Sequence, residues 1–514
     1  MAFQGTTMPG PYLGLDLVSP IDNMDPATAL KLINIFPGAN SPALRAGYES
    51  FATVGSGTPI TFLQSLNLAD GSSRLIAGNS SALFSVTTSG TPTTITGSTV
   101  TNGEWQSTTY NNRIYLCNGV DSARSWDGIA ATTSNLTFTG LALTSMIGVH
   151  AHKERLYFIE KNSCKIWYGG VQVTGTGGSP ALTSFDLSYV MTRGGFVVAL
   201  GSYSNTTSMT SQDYFWACSS EGEIVFYTGT YAGDPTTWGL VARYYIGRPL
   251  GRRAFVRVNN DVWIVTEQGI VPISGLFQSD PEAALNILSR RINPLISEAA
   301  KLFPFNYAWS GFFWPQGRAV YFAIPVSTVG CHLLVYAIDQ KAWTLFQLYD
   351  DSHCLSSCLF NKLPFYGSNQ GRIWKGETGP ADARIGSIDQ YISFDCTLPY
   401  SFYQTRNNYK TFKDIRAIIQ AAPTIKVGIV LDTDFRPVQT LVKPISSSTV
   451  LTTWGSPWGS PWSGASVASG SYSFDRYSLK GQGHAASIRF GGFVKTQNLQ
   501  ILGFEVRYEI GGQV

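Results

Sequence analysis

The chain has 514 residues and a formal net charge of +3, with 44% hydrophobic and only 13% charged residues, against about 25% charged in an ordinary soluble domain. A balance this near neutral excludes the strongly basic surface of a dedicated nucleic-acid binder, and no apolar run approaches the ~20 residues of a spanning helix. A chain this long buries a large core without disulfides or metals, as several domains or as one large β architecture.

Residues 1–58 read as an N-terminal arm and entry strand. Pro and Gly punctuate the arm. The stretch DPATALKLIN predicts a short helix capped by Asp25, with Pro26 at its first position. LRAGYESFATV, from Leu44, predicts the entry strand. The opening MAFQGTTMPGPYLGLDL has no basic stretch ahead of an apolar core, so no secretory signal is expected.

From 59 to 379 one pattern recurs: a short apolar strand, a Gly/Asn/Ser turn and a second strand ending on aromatics and Gly. It starts at Ser72 (SSRLIAGNSSALFSV), Asn111 (NNRIYLCNGVDSARSWDG), His152 (HKERLYFIEKNSCKIWYGG) and Gln212 (QDYFWACSSEGEIVFYTG). It returns at Asn259 (NNDVWIVTEQGIVPISG), Pro315 and Asn361 (NKLPFYGSNQGRIWKGETG). Each copy is a hairpin, and starts about 40 to 60 residues apart match the blades of a β-propeller. Six or seven blades are expected, each completing its core against its neighbours. One helical interruption runs from Asp280 to Phe303, with Pro294 predicting a split into two short helices on the propeller rim.

Residues 380–514 carry alternating apolar strands and predict a C-terminal β-sandwich-like domain. They include a low-complexity loop at 452–473, where Trp454, Trp458 and Trp462 are separated by Gly, Ser and Pro. Exposed aromatics on such a loop point to docking.

The chain lacks GxSxG, HExxH, P-loop and dinucleotide-binding patterns, and the expectation is a protein that is not an enzyme and holds no cofactor. His150 and His152 alternate on one predicted strand, and His353, Cys354 and Cys358 stand close together. Neither group supplies the ligands of a zinc site, and no metal is expected. Asp350 with Asp351, and Asp432 with Asp434, lack the remainder of a calcium loop and read as turn residues. A propeller glycosidase would need two opposed carboxylates. Nothing singles out Glu160, Glu221, Glu267 or Asp339 for that task. Arg248, Arg252, Arg253 and Arg257 are candidates for phosphate contacts or, preferably, for an interface between subunits. Seven irregularly spaced cysteines predict free thiols in a reducing compartment.

The opening phrase resembles the start of tail proteins of short-tailed phages. Gly14 to Leu17, Asp25 to Ala27, Asn34 with Pro37, and Arg45 with Gly47 match the family's order of phrases ahead of a propeller. The layout is similar to the tail nozzle, or packaged-DNA stabilisation, family. The resemblance implies a virion protein assembled in the host cytoplasm into a homohexameric ring. Its implied partners are the portal and adaptor, tail fibre or tip proteins, and DNA that passes without sequence-specific binding. No stable membrane insertion is implied. The alternative is a carbohydrate- or receptor-binding propeller. Its sugar-stacking candidates are the strand-end aromatics Phe84, Trp126, Trp167, Phe226 and Trp374, a series broken by Pro272.

Overall fold

A computed structural model describes residues 4–38, 41–55, 57–206, 211–277, 286–327, 330–349, 354–386, 388–421, 426–436, 443–446, 471–473, 476–495 and 499–513. The chain divides into two compact units. One comprises Ser50–Leu333 and Asp350–Gly376; the other comprises Met1–Glu49, Leu334–Tyr349 and Glu377–Val514.

The first unit is a β-propeller with six antiparallel sheets as blades. Blade 1 runs Phe62–Asn67, Ser73–Gly78, Leu83–Val86, Pro92–Thr94; blade 2 runs Gln106–Tyr110, Arg113–Cys117, Arg124–Trp126, Ser134–Asn135. Blade 3 runs Met146–His152, Arg155–Glu160, Lys165–Tyr168, Thr183–Asp186; blade 4 runs Val197–Thr206, Ser211–Ser219, Glu223–Thr228, Gly239–Tyr245. Blade 5 has three strands, Phe255–Val258, Asp261–Thr266 and Gly269–Pro272. Blade 6 joins Ser356–Phe360, Leu363–Gly367 and Arg372–Gly376 to the early strand Tyr48–Thr53. Between blades 5 and 6 the ring also takes in the hairpin of Ser310–Trp314 and Ala319–Ser327. The inner strand of that hairpin lies beside Phe255–Val258 on one side and Ser356–Phe360 on the other. Its sheet continues into Gly330–Ala337, the strand in which the division between the units falls.

Local chemistry makes these hairpins. The turns Asn111–Asn112, Lys153–Glu154 and Asn361–Lys362 each place two successive residues at positive φ. That is the two-residue hairpin turn whose twist matches the flanking strands. Second strands such as Arg113–Cys117 and Asp261–Thr266 are near-continuous apolar runs because both faces are covered. Blade 2 packs Ile114 and Leu116 against Leu66 and Ile76 of blade 1. Its Tyr115 and Cys117, on the opposite face, pack against Leu156 and Phe158 of blade 3. The circle closes where Phe365 and Ile373 of blade 6 meet Leu63 and Leu75 of blade 1.

Among the described residues, the second unit contains two large sheets besides the hairpin of Asp382–Ile385 and Ile388–Gln390. One is built on the long strands Leu499–Gln513 and Asn408–Ala421, flanked by Gln4–Pro9, Ile35–Pro37, Pro42–Leu44, Ser471–Ser473 and Arg476–Gly483. The other places Lys31–Ile33 between Ala342–Phe346 and Ile392–Thr397, and continues through Ala486–Val494 and Lys426–Thr433 to Lys443–Ser446. Phe490 of the second sheet meets Phe504 of the first edge-on, with ring centroids 5.6 Å apart.

Two helical expectations change. DPATALKLIN forms no helix: Asp25 Oδ1 accepts the Ala27 N–H, the Thr28 N–H turns back to the Asp25 carbonyl, and Lys31–Ile33 is a strand. The Asp side chain thus closes a local turn in place of a helix cap, and strand pairing to Ile392–Thr397 overrides helix propensity. In the interruption, Pro294 opens the helix Asn293–Leu302, preceded by a single 3-10 turn at Arg290–Ile292. Proline is tolerated there because the first N–H groups of a helix have no partner within it. Residues 278–285, where the other helix was expected, lie outside the described residues.

Candidate functional site

The residues of the opening phrase gather in the second unit as a clamp. The Arg45 guanidinium donates to both oxygens of Asp382, at 2.7 and 2.6 Å, and Arg45 and Asp382 are only 6% and 1% exposed. Arg45 Nε donates to Asn34 Oδ1, and the Asn34 amide donates to the carbonyls of Gln347 and Ser393. Gly47 is required by crowding, since a Cβ there would lie 1.8 Å from the Ala381 carbonyl oxygen. Gly14, at φ +74°, is crowded by Trp343: a Cβ would lie 2.5 Å from its carbonyl oxygen. These side chains position backbone, and every acceptor they use lies within the protein.

At the propeller axis, the inner strands line a solvent-open cavity of about 270 Å³ whose walls include Gln64, Gln106, Ser107, His150, Arg252 and Arg253. The two arginines come from the turn that precedes Phe255–Val258. Arg252 makes an ion pair with Glu104 at 2.8 Å. Arg253 lies over the Tyr307 ring at 3.7 Å and donates to the carbonyls of Tyr307, Thr61 and Leu355. Tyr307 donates its hydroxyl to the Trp105 carbonyl, and burial pushes its pKa up to about 12. Glu104 and Tyr307 escape sequence reasoning because neither belongs to a motif. The recurrence of a polar residue early in inner strands, as at Gln64, Gln106 and Ser310, is a pattern that could have found the wall.

His150 and His152 do converge, but on a hydroxyl. Ser202 Oγ lies 2.9 Å from His150 Nε2 and 2.7 Å from His152 Nδ1. One hydroxyl can donate to one ring and accept from the other, so two neutral imidazoles are satisfied. Burial lowers the His150 pKa to about 3 and the His152 pKa to about 4. Among the described residues, no group of three His, Cys, Asp or Glu side chains could hold a metal ion. His353, Asp350 and Asp351 lie outside the described residues.

The other candidates are dispersed. Asp434, at φ 48°, accepts the backbone N–H groups of His484 and Ala485 with one oxygen, a turn role. Glu160 accepts the Trp167 indole N–H. Glu221 pairs with Arg248, whose side chain remains 61% exposed. Arg257 is exposed and donates to the Asn259 carbonyl. The four arginines therefore do not act together: Arg252 and Arg253 turn inward, while Arg248 and Arg257 stay at the surface. Trp454, Trp458 and Trp462 lie outside the described residues. Of the strand-end aromatics, Trp126 and Trp374 are buried and Phe226 fully so, while Phe84 and Trp167 are half-buried against neighbouring core clusters.

All seven cysteines are free, and all but the half-buried Cys164 are buried. Burial pushes the Cys117 and Cys331 thiols up to about 12, which leaves little thiolate to react. A thiol reagent should modify Cys164 rapidly in the native protein and about seven thiols after denaturation without reductant. Recovery of about five or fewer would show a disulfide.

No family model matches the chain, and no curated protein matches it. Among solved structures it is similar to the computationally designed Ika8 protein, with TM-score 0.35 and 10% identity over 64% of this chain and 99% of that one. It is also similar to virginiamycin B lyase from Staphylococcus aureus, with TM-score 0.39 and 12% identity over 61% of this chain and 98% of that one.

Proposed function

We propose that the chain is a structural virion protein of a short-tailed phage, one subunit of a hexameric tail nozzle. Such a ring would extend the portal and adaptor channel, retain packaged DNA and pass it during ejection. The observation that carries the proposal is the clamp. Asn34, Arg45 and Gly47, which carry the sequence resemblance, are the residues that tie the N-terminal segment into the second unit. A likeness located in residues that shape the subunit suits a shared architecture and a mechanical role.

The mechanism is physical. Copies would meet through heterologous contacts, one surface of each against a different surface of the next, so that the rotation closes. Arg248, Arg257 and the tryptophan-bearing loop at 452–473 are the candidate contacts. A surface poor in Lys and Arg suits a channel for DNA, because each neutralised phosphate adds affinity that would slow passage. The second proposal, a carbohydrate-binding propeller, is weaker because three of its five stacking candidates, Trp126, Phe226 and Trp374, are buried.

Negative-stain imaging of the protein alone, and mixed with candidate portal and adaptor proteins, tests the assignment. Six-fold rings on the adaptor are expected. A chain that stays monomeric in the mixture overturns the nozzle, and specific glycan capture on an array would then establish the second proposal.

A further inference from the structure

The axial cavity holds more positive charge than its neighbours balance. Arg252 and Arg253 stand on the same Tyr307 ring, at 5.8 and 3.7 Å. The carboxylate beside them is Glu104, bonded through a single terminal nitrogen of Arg252. Arg253 is held by carbonyl oxygens alone, and these accept its protons without cancelling its charge. Among the described residues, no Asp or Glu lines the cavity. His150 is neutral there, with its Nε2 engaged by Ser202. Among the described residues, two guanidiniums against one carboxylate leave one positive charge at this site.

Donors are also in excess. The remaining N–H groups of Arg252 have no acceptor among the described residues. A guanidinium can only donate, so these groups call for an acceptor oxygen. A cavity of about 270 Å³ gives room for several waters at ~30 Å³ each, which is smaller than the pocket of a typical organic ligand. Net positive charge, spare N–H donors and small volume select one chemistry.

We propose that the axial cavity of the propeller binds a small oxyanion, with Arg252 as the principal donor and Glu104 as the group that moderates its affinity. The site is independent of the nozzle assignment, because it lies within one propeller and uses no contact between copies.

Titration calorimetry of the full chain with inorganic phosphate in low-salt buffer is the test. One saturable site per chain is expected. Arg252→Gln should weaken binding by about tenfold, the effect of one charge-assisted hydrogen bond. Glu104→Gln should tighten it several-fold, because it removes the opposing charge and frees Arg252. Arg243→Gln, on the outer strand of blade 4, should leave it unchanged. Absence of saturable binding to the wild-type chain overturns the proposal, as does a shift of both cavity variants in the same direction. An equal loss in Arg243→Gln would show diffuse surface attraction and overturn it too. Should Arg252→Gln fail to fold by circular dichroism, the wild-type titration and the tightening in Glu104→Gln still decide.

Discussion

Arg45→Met should destabilise the second unit by about 3–5 kcal/mol, the cost of breaking a buried ion pair from one side. The magnitude follows from what remains behind. Asp382 is 1% exposed, and both its oxygens face the guanidinium. Without Arg45 that carboxylate is buried with neither counter-charge nor donors, and Asn34 Oδ1 loses a donor as well. Asp382→Asn leaves the reverse defect, a buried guanidinium with one good acceptor removed. The double variant Arg45→Met/Asp382→Leu removes both charges and should recover a large part of the loss, because a well-packed apolar pair can replace a buried ionic one. With two units the unfolding need not be two-state. Hydrogen exchange in Ile392–Thr397 therefore reports the relevant unit better than a global melt. A single variant that costs under about 1 kcal/mol, or a double variant as damaged as the worse single, would contradict this account of the clamp.

Acid should destabilise the propeller well before its carboxylates titrate. The folded pKa values of His150 and His152, about 3 and about 4, lie below the ordinary ~6.5 of an unfolded histidine. Between those values the unfolded chain binds protons that the folded chain refuses. The contribution is therefore complete above pH ~6.5 and is lost as the pH falls toward the folded values, by up to about 1.4 kcal/mol per pH unit for each histidine. Burial is the main cause for both. His152 and Arg257 also oppose a proton on His150; Lys153 opposes one on His152, while Asp213 favours it. The diagnostic window is pH 6.5 to 5, above the range in which ordinary carboxylates protonate. Urea midpoints measured across that window should fall steeply for the wild-type chain and much less for His150→Gln/His152→Gln. Equal slopes in the two proteins would show that the pair ionises freely in the folded state.

The propeller was legible because its information is local. A hairpin is written within about fifteen residues by turn chemistry and strand pattern, and Asn111–Asn112 and Asn361–Lys362 adopt the backbone their residue types favour. Repetition then implies a ring, since no single blade can cover both its faces. The pairing of His150 with His152 on one strand face was visible too. Their shared partner Ser202 sits about fifty residues away and has no motif to announce it.

Local chemistry along the chain specifies the all-β propeller, its order of hairpins and the residues of the opening phrase. Closure of the fold sets every relation that joins distant stretches of chain. Lys31–Ile33 is a strand because Ile392–Thr397 offers it a ladder, and the local helix propensity of DPATALKLIN cannot compete with that pairing. Arg45 finds Asp382, and Arg252 and Arg253 find Tyr307, across separations that no periodicity encodes. The fate of four neighbouring arginines, two inward and two at the surface, follows from where the turn before Phe255–Val258 meets the propeller axis. Local propensity acts over a few residues, whereas pairing and burial act between whichever segments the closed fold brings together.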